Sequence, residues 1–224
     1  MQHCRYELLI FDLDGTLLDT GEGIRAALRH TIKELGYPVP TDKTLSAYIG
    51  PPIEQAFADL CGLEGEALQE AAKQFRIRYS THELLTATPY AGIFDLLGRI
   101  RALGAKLAIA TYKREDYAKK LLRHYGFHHY APIMHGSDAN GFLKKKDIIR
   151  LCIEECGAPA PKSAVMVGDT AEDARGAASV DIDFIAVTYG FGFRTVRDAL
   201  AYAPIAVAHT PIELLPHFLK EDNT

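Results

Sequence analysis

Two carboxylates separated by a single residue, Asp12 and Asp14, follow the apolar run Leu8-Leu9-Ile10-Phe11. The run has the near-continuous hydrophobicity of a strand buried on both faces in a parallel sheet. In open α/β sheets, ligands bind at the carboxyl ends of the strands. Two acids placed there repel each other and lose hydration, which costs stability unless a cation or a reaction uses them. Asp14-Gly15 alone is an ordinary turn dipeptide. Joined to a buried strand, with a second acid two residues earlier and Thr16 after it, the segment reads as a site at a strand tip. A second such place is Gly168-Asp169, where the run from Ala164 ends and Asp173 follows four residues, about one helical turn, later.

The elements that must carry these residues follow from periodicity. From Gly21 to about Leu85 the pattern is helical without a strand. Ile24, Leu28, Ile32 and Leu35 share one helix face, closed by Gly36. Helices over Ile53–Cys61 and roughly Glu64–Leu84 follow the stiff break Ile49-Gly50-Pro51-Pro52. From Pro89 onward strands and helices alternate. Strands are expected at Lys106–Thr111, weakly at Pro132–Gly136, and at Ala164–Asp169, Phe184–Val187 and Ile205–Ala208. Helices are expected at Ile93–Leu103, Arg114–Tyr125, Asp147–Cys156 and Ala171–Ser179, with a short one at the C-terminus. Such alternation predicts an α/β fold with a doubly wound, mostly parallel, Rossmann-like sheet. The helical block is an insertion straight after the first strand. The expected division is a core of residues 1–19 plus 87–224 and an all-helical insert of residues 20–86. Both crossings fall near the carboxyl end of the first strand, so the insert is expected to act as a lid over the acidic pair.

Asp12-Leu13-Asp14-Gly15-Thr16-Leu17 resembles the first motif of the haloacid dehalogenase superfamily, whose members are mostly phosphatases. Thr111, Lys145 and Gly168-Asp169-x-x-x-Asp173, in this order and at these element boundaries, match its remaining motifs. The resemblance extends over essentially the whole chain, Val187–Gly192 included. The helical insert is similar to the cap of the phosphoglycolate-phosphatase-like branch.

The resemblance implies a role for each residue. Asp12 is the nucleophile that becomes an aspartyl-phosphate, as an ionised carboxylate can. Asp14 protonates the leaving oxygen and then takes a proton from water, while its backbone carbonyl binds metal. Dehalogenases and phosphonate-cleaving relatives lack this second acid, so its presence points to phosphate esters. Gly15, Thr111 and Tyr112 fall at phosphate-binding positions. The family usually has Asn or Ser after the Thr, and this chain departs with Tyr112 and Lys113. Lys145 is the cation beside nucleophile and phosphate, with Lys144 and Lys146 as alternatives by a one-residue slip. Asp12, Asp14, Asp169 and Asp173 form the metal set, with Asp173 acting through water or as the partner of Lys145. Oxygen-only ligation with open water positions suits Mg²⁺. Ile49–Pro52 is a candidate leaving-group loop.

The expected activity is therefore Mg²⁺-dependent hydrolysis of a small phosphorylated metabolite, phosphoglycolate-phosphatase-like. A 5′-nucleotidase, a sugar-phosphate phosphatase and a β-phosphoglucomutase-like phosphomutase share the core motifs. A non-catalytic relative on the same fold would not need every charged residue of the four motifs. The net charge of −4 gives no reason to expect nucleic acid or an anionic membrane as a partner. No window approaches the ~20 apolar residues that span a bilayer. Met1 to Arg5 run directly into the first strand and leave no room for a signal peptide. Cys4, Cys61, Cys152 and Cys156 show no C-x-x-C spacing and read as reduced thiols, so a cytoplasmic protein is expected; the sequence leaves monomer and homodimer both open. His128-His129, Arg76 and Arg78 read as solvated surface, and Glu172 as facing away from the site.

Overall fold

Residues 3–138, 142–157 and 161–220 are described by the computed structural model; Met1 and Gln2, at the start read above for a signal peptide, lie outside them. Six strands form one sheet: β1 (Leu8–Phe11), β2 (Lys106–Arg114), β3 (Ile133–Ser137), β4 (Ala164–Gly168), β5 (Asp183–Val187) and β6 (Ala206–Ala208). Their order across the sheet is β3-β2-β1-β4-β5-β6, and each pairing between neighbours is parallel. This is the doubly wound order, and it reverses between β1 and β4.

The strand β1 is central because it is the most apolar. Leu8, Leu9, Ile10 and Phe11 are all essentially inaccessible. Leu8 and Ile10 pack into a cluster with Ile148, Ile149 and Cys152 of the helix Lys145–Cys156 and with Ala174 and Ala177 of the helix Ala171–Ser179. Phe11 meets Phe218 edge-to-face at 6.4 Å. Burying each such side chain is worth about 1.5–3 kcal/mol. The strand tip that carries Asp12 is thus held from both faces and by both neighbours in the sheet.

The chain divides into two compact units, Met1–Leu18 with Pro89–Thr224, and Asp19–Thr88. The second holds the helices Gly21–Glu34, Ile53–Cys61 and Gly65–Arg78, the last continued by a wider helical turn over Tyr79–Glu83. Its interior is built from Leu28, Ile32, Phe57, Phe75 and Tyr79, with Phe75 and Tyr79 stacked.

Element boundaries differ from expectation in instructive places. The strand β2 runs on to Arg114, past Thr111, through an irregularity in its pairing with β3 between Ala110 and Arg114. The third core helix begins at Lys145 rather than Asp147. The hydroxyl of Tyr112 accepts the Lys145 backbone N–H at 2.9 Å, and Asp147 Oδ2 accepts that of Lys144 at 3.1 Å. The first turn is thereby capped in part from another strand, a contact invisible to periodicity. The C-terminal helix is 3₁₀ over Pro211–Phe218. All four cysteines are free thiols. No helix of the described residues is long and apolar enough to cross a membrane.

Candidate active site

The reversal of strand order between β1 and β4 opens a crevice at their carboxyl ends, and the chemistry-bearing residues gather there. Asp12 follows β1, and its backbone N–H is accepted by Val167 of β4 at 2.9 Å. Asp169 follows β4. Asp173 lies in the first turn of the helix Ala171–Ser179, where its Oδ2 accepts the Thr170 N–H at 3.1 Å and the Thr170 hydroxyl at 2.6 Å. Lys145 opens the helix Lys145–Cys156. Its ammonium donates to Asp12 Oδ1 at 2.6 Å and to the Ala110 carbonyl at 2.9 Å, and lies 2.7 Å from Asp173 Oδ1. Lys144 and Lys146 are exposed, so Lys145 is the lysine of the three that reaches Asp12.

Asp169 sits in a backbone cradle. Its Oδ2 accepts the N–H groups of Phe191 at 2.7 Å and Gly192 at 3.0 Å. The Thr16 hydroxyl lies 3.5 Å from Oδ1. Gly15, at φ +87°, and Gly190 form the walls, and a Cβ at either would run into the Asp169 carboxylate. Tyr189 donates its hydroxyl to the Thr16 carbonyl at 3.0 Å, which ties the first motif to the segment after β5.

The electrostatics follow from packing three carboxylates and one ammonium into a dry space. Asp12, Lys145, Asp169 and Asp173 are all buried. Burial pushes the Asp12 carboxyl well above the usual range; Lys145 opposes this, and Asp173, Asp169 and Asp14 reinforce it. Burial likewise pushes Asp169 up to about 7, helped by Asp173 and opposed by the Gly192 and Phe191 N–H groups and by Lys145. Burial alone would lower Lys145, but the charges of Asp12 and Asp173 together outweigh it and hold the ammonium protonated. The direction that governs the cluster is an excess of negative charge, since one cation faces three acids.

That excess is a test of fit for a metal. One oxygen each from Asp12, Asp169 and Asp173 lie within 4.8 Å of one another. Asp173 Oδ1 receives no well-aligned hydrogen bond, close as the Lys145 ammonium stands. Buried carboxylates in this number suit a hard divalent cation.

The Asp14 carboxylate has a different partner. Strand β1 ends at Phe11, and the chain bends at Leu13 and turns through Gly15–Leu17. The Asp14 carboxylate pairs with Lys113, whose ammonium lies 3.0 and 3.2 Å from its two oxygens. Thr111 is buried, and its Oγ1 accepts the Lys113 N–H at 3.1 Å. The Tyr112 hydroxyl is engaged by the Lys145 backbone, with the ring 5.4 Å below the Lys145 ammonium. Of the expected residues, Asp12, Lys145, Asp169 and Asp173 thus converge, with Gly15 against them. Thr111 and Tyr112 support the neighbouring strand and helix. Glu172 is exposed and pairs with Arg175. The sequence marks Lys113 as a departure and Val187–Gly192 as part of the resemblance, without a role for Lys113 or for Tyr189. The available signal for Lys113 was that it is the first charge after the buried run Leu107–Thr111.

Comparison with known proteins agrees with this architecture. Residues 9–187 match the haloacid dehalogenase-like hydrolase family. A tyrosine-protein kinase, PtkA, of Mycobacterium tuberculosis is 34% identical over 93% of this chain and 71% of its own. A 5′-nucleotidase of Pseudomonas aeruginosa is 33% identical, covering 84% of this chain and 85% of its own. A phosphoglycolate phosphatase of Aquifex aeolicus is 31% identical, covering 74% and 77%. Among solved structures, a haloacid dehalogenase-like hydrolase of Streptococcus pneumoniae superposes with a TM-score of 0.87 at 34% identity, over 96% of this chain and 99% of that one. The chain belongs to the haloacid dehalogenase-like hydrolases. Within that family it is an enzyme of the phosphatase class, in the branch that resembles phosphoglycolate phosphatase.

Proposed function

We propose that the protein hydrolyses a small phosphomonoester in two steps, with Mg²⁺ held by Asp12, Asp169, Asp173 and the Asp14 carbonyl. The observation that carries this reading is the buried Asp12 carboxylate held by Lys145 at 2.6 Å beside two further acids. A nucleophilic carboxylate must be ionised, and burial works against that. Lys145 offsets the penalty, and Mg²⁺ when bound supplies further positive charge to the carboxylates and to the phosphate oxygens. Asp12 attacks phosphorus and the ester oxygen leaves, taking a proton from Asp14. Asp14 then accepts a proton from water, which attacks the phosphorus of the aspartyl-phosphate and frees Asp12 and inorganic phosphate. Lys145 stabilises charge on the phosphoryl oxygens as a compact point charge. The Thr111 hydroxyl, whose oxygen accepts the Lys113 N–H, keeps its own proton to donate to those oxygens, whereas the Gly15 N–H is engaged by the Leu18 carbonyl at 2.9 Å.

The test is phosphate release from phosphoglycolate, nucleoside monophosphates, sugar phosphates and pyridoxal phosphate, with Mg²⁺ and with chelator. Metal-dependent release from at least one ester is expected. The 5′-nucleotidase relative gives the nucleoside monophosphates particular interest in that panel. The kinase-named relative defines the opposing outcome: transfer from ATP to a tyrosine peptide with no ester hydrolysis would overturn the phosphatase reading. Interconversion of sugar phosphates without phosphate release would turn it into a mutase.

A further inference from the structure

We infer that Lys113 is a positioning residue for Asp14, acting on the step in which the alcohol leaves; the inference rests on the phosphatase reading. Three observations carry it. The Lys113 ammonium contacts both oxygens of Asp14, at 3.0 and 3.2 Å. Both side chains are largely withdrawn from water, 7% and 17% exposed, so the pair is far less screened than a surface bridge. The Lys113 backbone is itself pinned, through its N–H to the buried Thr111 hydroxyl.

Lys113 adds a support at the Asp14 carboxylate itself. Asp14 follows the bend at Leu13, where the backbone has left the ladder of β1 and bridges to Leu18. A short carboxylate there can rotate about both of its side-chain bonds, and contact through two oxygens restricts both rotations. The two lysines divide the carboxylates between them. Lys145 serves Asp12 and Asp173, while Lys113 serves Asp14. In the balanced step Asp14 carries its proton on one oxygen while Lys113 donates to the other; the bond from Asp12 to phosphorus forms, the phosphorus–ester oxygen bond breaks, and that proton goes to the departing oxygen. A misplaced Asp14 raises the barrier only where the leaving oxygen needs that proton.

The leaving group therefore separates a role through Asp14 from every other role. The value of kcat/KM reports steps up to alcohol departure. It would be measured with Mg²⁺ on an alkyl phosphate and on p-nitrophenyl phosphate, whose phenolate leaves without help. For Lys113→Met the expected loss is about 10- to 100-fold on the alkyl ester and less than about threefold on the aryl ester. Lys113→Arg should recover most of the loss, because its fork also meets two carboxylate oxygens. Adding Lys113→Met to Asp14→Asn should lower the alkyl rate no further. Urea midpoints confirm folding, with Lys113→Gln in reserve should the Met variant not fold. Equal losses on both esters, or a further loss in the Asp14→Asn background, would place Lys113 on the phosphate or in the fold and overturn the inference. No loss on either ester would also overturn it. The alkyl ester is one the wild type hydrolyses in the panel above; a wild-type protein inactive on every ester of that panel would instead defeat the phosphatase reading, and this inference with it.

Discussion

In the helical unit Asp19–Thr88, Arg29 meets Asp42 at 2.5 Å with 39% and 63% of the two side chains exposed. At the carboxyl end of the sheet, Lys145 meets Asp12 and Asp173 at nearly the same separations, with 3%, 8% and 0% exposed. The difference is solvent and stoichiometry. The Arg29 pair is one cation against one anion in water, where net stabilisation is about 0–1 kcal/mol. Arg76 with Glu54 and Arg78 with Glu83 are likewise one to one. The core cluster is one cation against three acids, all buried, an arrangement that disfavours the fold unless something uses the surplus charge. Charges in the helical unit keep that surface solvated, and those of the cluster leave a surplus that a bound cation would offset.

The comparison is broken most severely at the nucleophile. Asp12→Asn should lower turnover at least about 10⁴-fold while the protein remains folded, checked by phosphate release beside circular dichroism. Substantial residual turnover would move the nucleophile elsewhere. Next in size is Lys145→Met, which leaves buried acids without their cation. A loss of about 3–5 kcal/mol in urea unfolding at pH 7.5 is expected, with activity falling at least about 100-fold.

The charge surplus itself is tested by pH. Asp169 titrates near 7 in the fold against an ordinary 3.8. Between these values the metal-free fold keeps a proton that the unfolded chain has released. This contribution is complete below pH 3.8 and is lost as pH rises through about 7. With chelator, Tm should therefore fall between pH 5 and pH 8. Mg²⁺ should raise Tm more at pH 8 than at pH 5, by several degrees, and Asp169→Asn should flatten the slope. A Tm in chelator that climbs over this range in the wild type, with Asp169→Asn unchanged, would contradict the surplus. The smallest effect belongs to the other side of the comparison. Arg29→Ala should cost less than about 1 kcal/mol and leave phosphate release unaltered.

Much of this organisation was legible in the linear chain. Buried parallel strands are nearly uniform in hydrophobicity, so Leu8–Phe11 and Ala164–Gly168 announced themselves, and the acids after them stood out against that background. The switch of period at Pro89 likewise showed where helical insert gives way to alternating core. The weaker edge elements were harder. Strand β2 continues to Arg114 through polar residues, since its extension is held by pairing with β3 and by the Thr111 hydroxyl rather than by apolar content. The early start of the helix at Lys145 depends on the Tyr112 hydroxyl, 33 residues away in sequence.

By itself, then, the amino-acid order determined the α/β class, the helical insertion and the set of acids at strand ends, because these depend on local periodicity and residue type. Tertiary structure alone decided which groups meet. The strand order places β1 beside β4 and so brings Asp12 to Asp169 across 157 residues. It selected Lys145 over its two neighbours, since only a side chain on the inner face of the first helical turn reaches the buried acids. It also turned Asp14 away from the extended path toward Lys113, a pairing that no spacing could reveal, because it depends on a bend in one loop and the overrun of a distant strand.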